Sequence, residues 1–199
     1  RTALGAGRGH IYATVVRTAL KPAAIGLACG AGLAVPAAFL FDLNVGDGRV
    51  RPTREMGYAA AARAATRLVD EGSVGAGMGA SVGKLFGVTR AMRGGLGTAG
   101  ARVDGVAVGA LVAVNAVGDV RDPGSGALIA GARDQANGRL PVDTAHALLT
   151  GQGELGRFAT PQHTTIGVVA TDARLTKSEC AKLASLAMVG FGRALSPPH

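Results

Sequence analysis

One lysine lies in the glycine-rich stretch GAGMGASVGKLFG, Gly75 to Gly87, a setting that invites a phosphate-binding reading. A phosphate loop needs Gly, four residues, Gly, Lys and then Ser or Thr, so that backbone amides ring the phosphates and a hydroxyl reaches magnesium. Counting back from Gly83-Lys84 puts Met78 where the first glycine is required, and Leu85 follows the lysine. The dinucleotide pattern GxGxxG fails too, because Gly77-Met78-Gly79 is followed at the required place by Val82. The motif arithmetic argues against a nucleotide, so Lys84 either reaches solvent, as most lysines do, or serves other chemistry. Two more positions invite the same question. Asn115 interrupts a valine run, and a buried amide must find hydrogen-bond partners, so it is either structural or part of a site. Thr164 and Thr165 form a hydroxyl-bearing pair at a loop-to-strand boundary. The bland reading of Thr164 is a strand-start residue with a surface hydroxyl; the chemical one is a weak nucleophile that needs a base.

Bulk properties narrow the function classes. The 199 residues are long enough for one domain with a sizeable core. Hydrophobic residues make up 48% and aromatics only 4%, with 32 glycines. The core must therefore be built from Ala, Val and Leu with backbones in close approach. The net charge is +8, but Arg49, Arg63, Arg90, Arg121, Arg139, Arg157 and Arg193 are scattered and have no aromatic interleaving. A solvated surface explains them better than a nucleic-acid interface, and no nucleic-acid partner is expected. His10, His146, His163 and His199 show no zinc spacing, so neither metal nor cofactor is expected. Cys29 and Cys180 read as two reduced thiols of a cytoplasmic protein.

The chain begins at Arg1 without a methionine, which suggests a fragment or a processed product, and no cleavable signal peptide is evident. Pro22 to Phe41 is uncharged and long enough to span a bilayer. Its glycines and Pro36 instead favour a buried strand-turn-strand, and no membrane partner is expected.

Several elements would position the candidate residues. Val35 to Asp42 reads as a buried strand ending at Asp42. Met56 to Asp70 reads as an alanine-rich helix closed by Gly72. Ser73 to Gly87 is a loop, and Gly94 to Val103 begins loop-like and becomes extended. Val106 to Val117 is apolar enough to be central in a sheet. Ala127 to Ala132 is a further strand candidate. Gly151 to Gln162 reads as an exposed linker, and Thr164 to Thr171 as a short buried strand. Thr176-Lys177-Ser178-Glu179 is a capping box opening a helix to about Leu195, with Cys180, Leu183, Ala187, Phe191 and Ala194 along one face. The fold class is mixed α/β, in layers.

Taken together, SVGAGMGASVGK, GGLGTA, VAVNAVGDV and TTIGVVATDARLTKSEC, in this order, resemble the L-aminopeptidase/D-esterase family, which includes β-peptidyl aminopeptidases and nylon-oligomer hydrolases. The resemblance covers most of residues 33–199. It implies a self-processing hydrolase of N-terminal-nucleophile type with a four-layer αββα sandwich, shared with ornithine acetyltransferases. Residues 33–163 would be the large-chain core and 164–199 the start of the small chain, with 1–32 a poorly matched N-terminal segment. The resemblance places the scissile bond at His163-Thr164 and the nucleophile at Thr164. It places the family's lysine at Lys84, the oxyanion-binding asparagine at Asn115 and a substrate-pocket position at Phe41. It also implies a homo-oligomer acting on small peptides, amides or esters.

Three departures accompany it. His163 stands where many members have asparagine, and Phe41 stands where some have tyrosine. The chain stops at Pro197-Pro198-His199, before an aspartate-bearing segment of the family, and the family's upstream glycine-rich block is not evident before Leu33, so the sandwich is expected to be incomplete at both ends. An acyltransferase of the same fold and a non-catalytic relative are the alternative readings.

Overall fold

The computed structural model describes residues 38–65, 69–152 and 163–198. It is a mixed α/β structure in which the strand pairs are antiparallel, and no sheet closes into a barrel among the described residues. The largest sheet runs β3 (Gly95–Val103), β4 (Val106–Val114), β9 (Ile166–Thr171). A hairpin joins the first two through Asp104 and Gly105, at φ 48° and 81°. Positive φ at both central residues matches the twist of the flanking strands, which is why Asp-Gly suits this position. β4 is the central strand, as its unbroken apolar character predicts. β9 pairs with it from Val108↔Thr171 to Ala113↔Ile166. The ladder gains one more bond at its end, from the Thr164 amide to the Asn115 carbonyl at 3.0 Å.

Helix α3 (Lys177–Ala194) lies against this sheet. The expected capping box is present: the Thr176 hydroxyl accepts from the Glu179 amide while the Glu179 carboxylate accepts from the Thr176 amide. Leu183, Ala187, Phe191 and Ala194 are half-buried as the helical spacing predicts. Cys180, in the first turn, is instead exposed as a free thiol. A Cβ on Gly167 would lie 3.3 Å from the Phe191 ring and from Val112, so this glycine lets the helix settle onto the sheet.

Shorter pieces complete the described structure. β1 (Ser81–Val82) pairs with β2 (Met92–Arg93); β5 (Asp119–Arg121) lies between β6 (Leu128–Ala130) and β10 (Leu195–Ser196); β7 (Ala132–Arg133) pairs with β8 (Pro141–Val142). α1 (Arg54–Ala62) and α2 (Thr144–Leu149) are the remaining α-helices among the described residues. The core joins Val82, Ala116 and Leu195 with Met92, Val114, Val120, Ala130 and Phe191, so it draws on seven of these elements.

Several expectations are corrected. Residues 38–42 of the predicted strand Val35–Asp42 join no ladder; Asp42 instead opens a turn closed by the Val45 amide. The alanine-rich helix starts earlier, at Arg54 with Thr53 as its cap, and ends at Ala62. It buries no residue, so alanine propensity rather than packing sustains it. Gly72 does not close it; its amide and carbonyl pair with Leu96 at 2.7 and 2.8 Å. The segment from Gly94 is outside a strand at that residue only and extended from Gly95, and the candidate strand at 127–132 is divided between β6 and β7 at Gly131. The strand predicted from Thr164 begins at Ile166, and Gly167 and Val168 are exposed rather than buried; β9 lies at the edge of its sheet among the described residues. The predicted linker 151–162 lies outside the described residues except for its first two positions, and Pro22–Phe41 except for its last four. Among the described residues, no helix is long and apolar enough to cross a membrane.

Thr165 is 8% exposed, and its hydroxyl has no hydrogen-bond partner. By strand alternation it shares a sheet face with Gly167, the face that α3 covers. An unsatisfied buried hydroxyl costs about 1–3 kcal/mol. Thr165→Val, which keeps the shape, is therefore expected to raise the unfolding free energy by about 1 kcal/mol in urea titrations. A loss of stability would show that the hydroxyl is bonded.

Candidate functional site

The lysine is delivered by a turn that only glycine can make. Directly after β1, the Gly83 amide bonds to the Gly118 carbonyl and the Lys84 amide to the Val117 carbonyl, both at 2.8 Å. Gly83 adopts φ +69°, and a Cβ there would lie 1.8 Å from the Ala132 nitrogen. Both the left-handed backbone and the contact exclude a side chain. The turn sends Lys84 inward. The residue is 6% exposed, and its Nζ donates to the Asn115 Oδ1 at 2.5 Å and to the Asn115 carbonyl at 3.1 Å. The solvent-reaching reading of this lysine is thereby replaced.

Asn115 follows directly after β4 and is completely buried. Its Oδ1 accepts from the Ser81 amide at 3.1 Å as well as from Lys84, while its Nδ2 donates to the Phe41 carbonyl at 3.1 Å. Its main-chain carbonyl takes both the Lys84 ammonium and the Thr164 amide. The structure thus brings Phe41, Lys84, Asn115 and Thr164 together around one residue. Phe41 enters through its backbone carbonyl rather than through its ring. Thr164 and the preceding His163 are both half-buried, and Thr164 lies two residues ahead of β9.

The electrostatics follow from this burial. Removal from water pulls the Lys84 amine down to about 8. Its two carbonyl-type acceptors keep a proton donor on the nitrogen useful. The group therefore changes charge within a unit or so of neutrality rather than far above it. Among the described residues, no group of three or more His, Cys, Asp or Glu is arranged to hold a metal ion.

Asp119 stands in a Gly118-Asp119 pair whose composition is that of a turn, and no motif marks it as a site residue. The structure places this carboxylate at the start of β5, completely buried. It accepts from the Ala132 amide at 3.1 Å, the Thr144 amide at 2.6 Å and the Thr144 hydroxyl at 2.6 Å. Burial raises its pKa, and those hydrogen bonds oppose the shift. The available signal was an acid embedded in the apolar run VAVNAVGDV.

Comparison with known proteins now bears on this geometry. The model of peptidase family S58 matches residues 6–199. The chain belongs to that family. These are the L-aminopeptidase/D-esterase relatives to which the motif blocks pointed. An uncharacterized aminopeptidase of Mycobacterium bovis is 41% identical over 170 residues, covering 83% of this chain and 46% of the relative. One from Mycobacterium tuberculosis gives the same figures. One from Mycobacterium leprae is 39% identical over 174 residues, covering 83% and 45%. The chain thus spans less than half the length of these curated relatives.

The buried lysine has a consequence for stability. Below about pH 8 the folded chain carries a desolvated ammonium. Between about 8 and 10.5 the folded lysine is neutral while the unfolded one still holds its proton, so stability rises with pH. Relative to Lys84→Met, the wild type should gain on the order of 3 kcal/mol across that interval. Denaturant titrations of both proteins through this range check it; parallel pH profiles would count against a perturbed lysine.

Proposed function

We propose that the chain is an aminopeptidase-like hydrolase that cuts itself at His163-Thr164 and then uses Thr164 as its nucleophile on small peptides, aminoacyl amides or esters. The observation that carries this reading is the Asn115 carbonyl, shared by the Lys84 ammonium and the Thr164 nitrogen. In the uncut chain, the Thr164 hydroxyl oxygen attacks the His163 carbonyl carbon, and the peptide C–N bond breaks as the nitrogen takes up a proton. Water then hydrolyses the resulting ester, leaving a carboxylate on His163 and a free amine and hydroxyl on Thr164.

The freed α-amine has an intrinsic pKa near 8. Held beside Lys84 on a shared acceptor, it is disfavoured as a cation whenever the lysine is charged. It is therefore suited to take the proton from its own hydroxyl as that oxygen attacks a substrate carbonyl. The leaving amine or alcohol departs with that proton, and water hydrolyses the acyl-threonine. The Asn115 amide is a donor of the kind that stabilises a developing oxyanion.

In this reading residues 33–163 form the large-chain core and 164–199 begin the small chain, preceded by an N-terminal segment at 1–32. The described sheets and helices belong to an αββα sandwich in a cytoplasmic homo-oligomer.

Intact-mass analysis of the full chain tests the proposal. The wild type should yield two fragments meeting at His163-Thr164, and Thr164→Ala should stay whole and lose hydrolysis of aminoacyl amides. Cleavage or turnover retained in Thr164→Ala would sink it. Asn115→Ala should slow processing by about a hundredfold or more, read as the rate at which the uncut mass disappears. An unchanged rate would remove Asn115 from the oxyanion role.

A further inference from the structure

Asp119 lies behind the Gly83-Lys84 turn rather than among the groups gathered at Asn115. Its Oδ1 takes the Ala132 amide, and the Ala132 nitrogen is the atom that a Cβ on Gly83 would strike. Its Oδ1 and Oδ2 take the hydroxyl and amide of Thr144, the first residue of α2. That helix is the last element described before His163. A Cβ on Gly131 would lie 2.1 Å from Oδ1, so the backbone closes tightly over the carboxylate. The Gly118 carbonyl, one residue before Asp119, receives the Gly83 amide. The turn that aims Lys84 is therefore held on two sides, by Gly118 and by the 131–132 peptide, and Asp119 joins both.

We propose that Asp119 is a positioning residue: its carboxylate sets the 131–132 peptide against Gly83 and so aims Lys84 at Asn115, while holding the start of α2. The catalytic part of this inference rests on the function proposed above; the placement of Lys84 does not. A carboxylate is needed because Oδ2 must accept the Thr144 amide. In Asp119→Asn the side chain can keep only one of its two accepting atoms, and an amide N–H would face another N–H.

The test uses the full chain labelled with 13Cε-lysine, the Lys84 signal being assigned by its loss in Lys84→Arg. In the wild type this signal should titrate near pH 8. In Asp119→Asn its midpoint should move up by about one pH unit or more as the side chain reaches water, and self-cleavage should slow by about a hundredfold. Thr176→Ala, which breaks the α3 capping box far along the chain, is the control for general destabilisation and should leave the Lys84 midpoint in place. Thr144→Val, a milder change, should move the midpoint in the same direction and decides the matter where Asp119→Asn does not fold. An unmoved Lys84 midpoint in the folded variants overturns the proposal. A wild type that neither cuts itself nor hydrolyses substrate defeats the proposed function instead, and the lysine titration still decides where Asp119 acts.

Discussion

Every part of the candidate site depends on one buried residue with nowhere to hide its polarity. Asn115 stands where a valine-rich central strand ends, cut off from water, with amide and carbonyl groups that must be satisfied by protein. The chain meets that demand by bringing three separate segments to it. The turn after β1 supplies Lys84, β1 itself supplies the Ser81 amide, the stretch ahead of α1 supplies the Phe41 carbonyl, and the approach to β9 supplies the Thr164 amide. The low-dielectric surroundings make these bonds strong and make the lysine's charge costly. The same burial that satisfies Asn115 therefore shifts Lys84 toward a titration range useful to chemistry near neutral pH.

Such convergence requires backbones to come very close. A chain with 4% aromatic residues and 32 glycines is built for it. At Gly83 the neighbouring peptide of Gly131-Ala132 occupies the space a Cβ would need. At Gly118 the carbonyl of Pro197 does the same, which brings the end of the described chain against the strand beside the site. Large side chains at these contacts would push the segments apart and leave Asn115 unsatisfied. The core around Val82, Ala116 and Leu195 is correspondingly built of small and medium-sized residues.

The legible features were those with local causes. Apolarity without alternation marked β4 as central, and Thr176 with Glu179 announced the start of α3. The misreadings came where a long-range partner overrode a local cue. Gly72 carries the look of a helix stop but gives both backbone groups to Leu96. The apolar run before Asp42 looks like a strand, yet residues 38–42 spend a carbonyl on a side-chain amide rather than on a ladder. Asp119 in a Gly-Asp pair looks like turn chemistry, and its hydrogen-bond partners lie 13 and 25 positions away. No window of sequence contains both ends of such a contact.

The sequence by itself determined the family, through several motif blocks whose order and composition survive without any knowledge of contacts. It also singled out Lys84, Asn115 and Thr164, because a lysine among glycines, an amide among valines and a threonine pair before a strand each need explaining. Only the tertiary structure decided that these residues meet, that Phe41 contributes its backbone, and that Asp119 stands behind the lysine turn. Residue types and spacing encode which groups are available. Burial, hydrogen-bond partnership and pKa are properties of what surrounds a group, and for these residues the surroundings come from segments 13 to 74 positions apart.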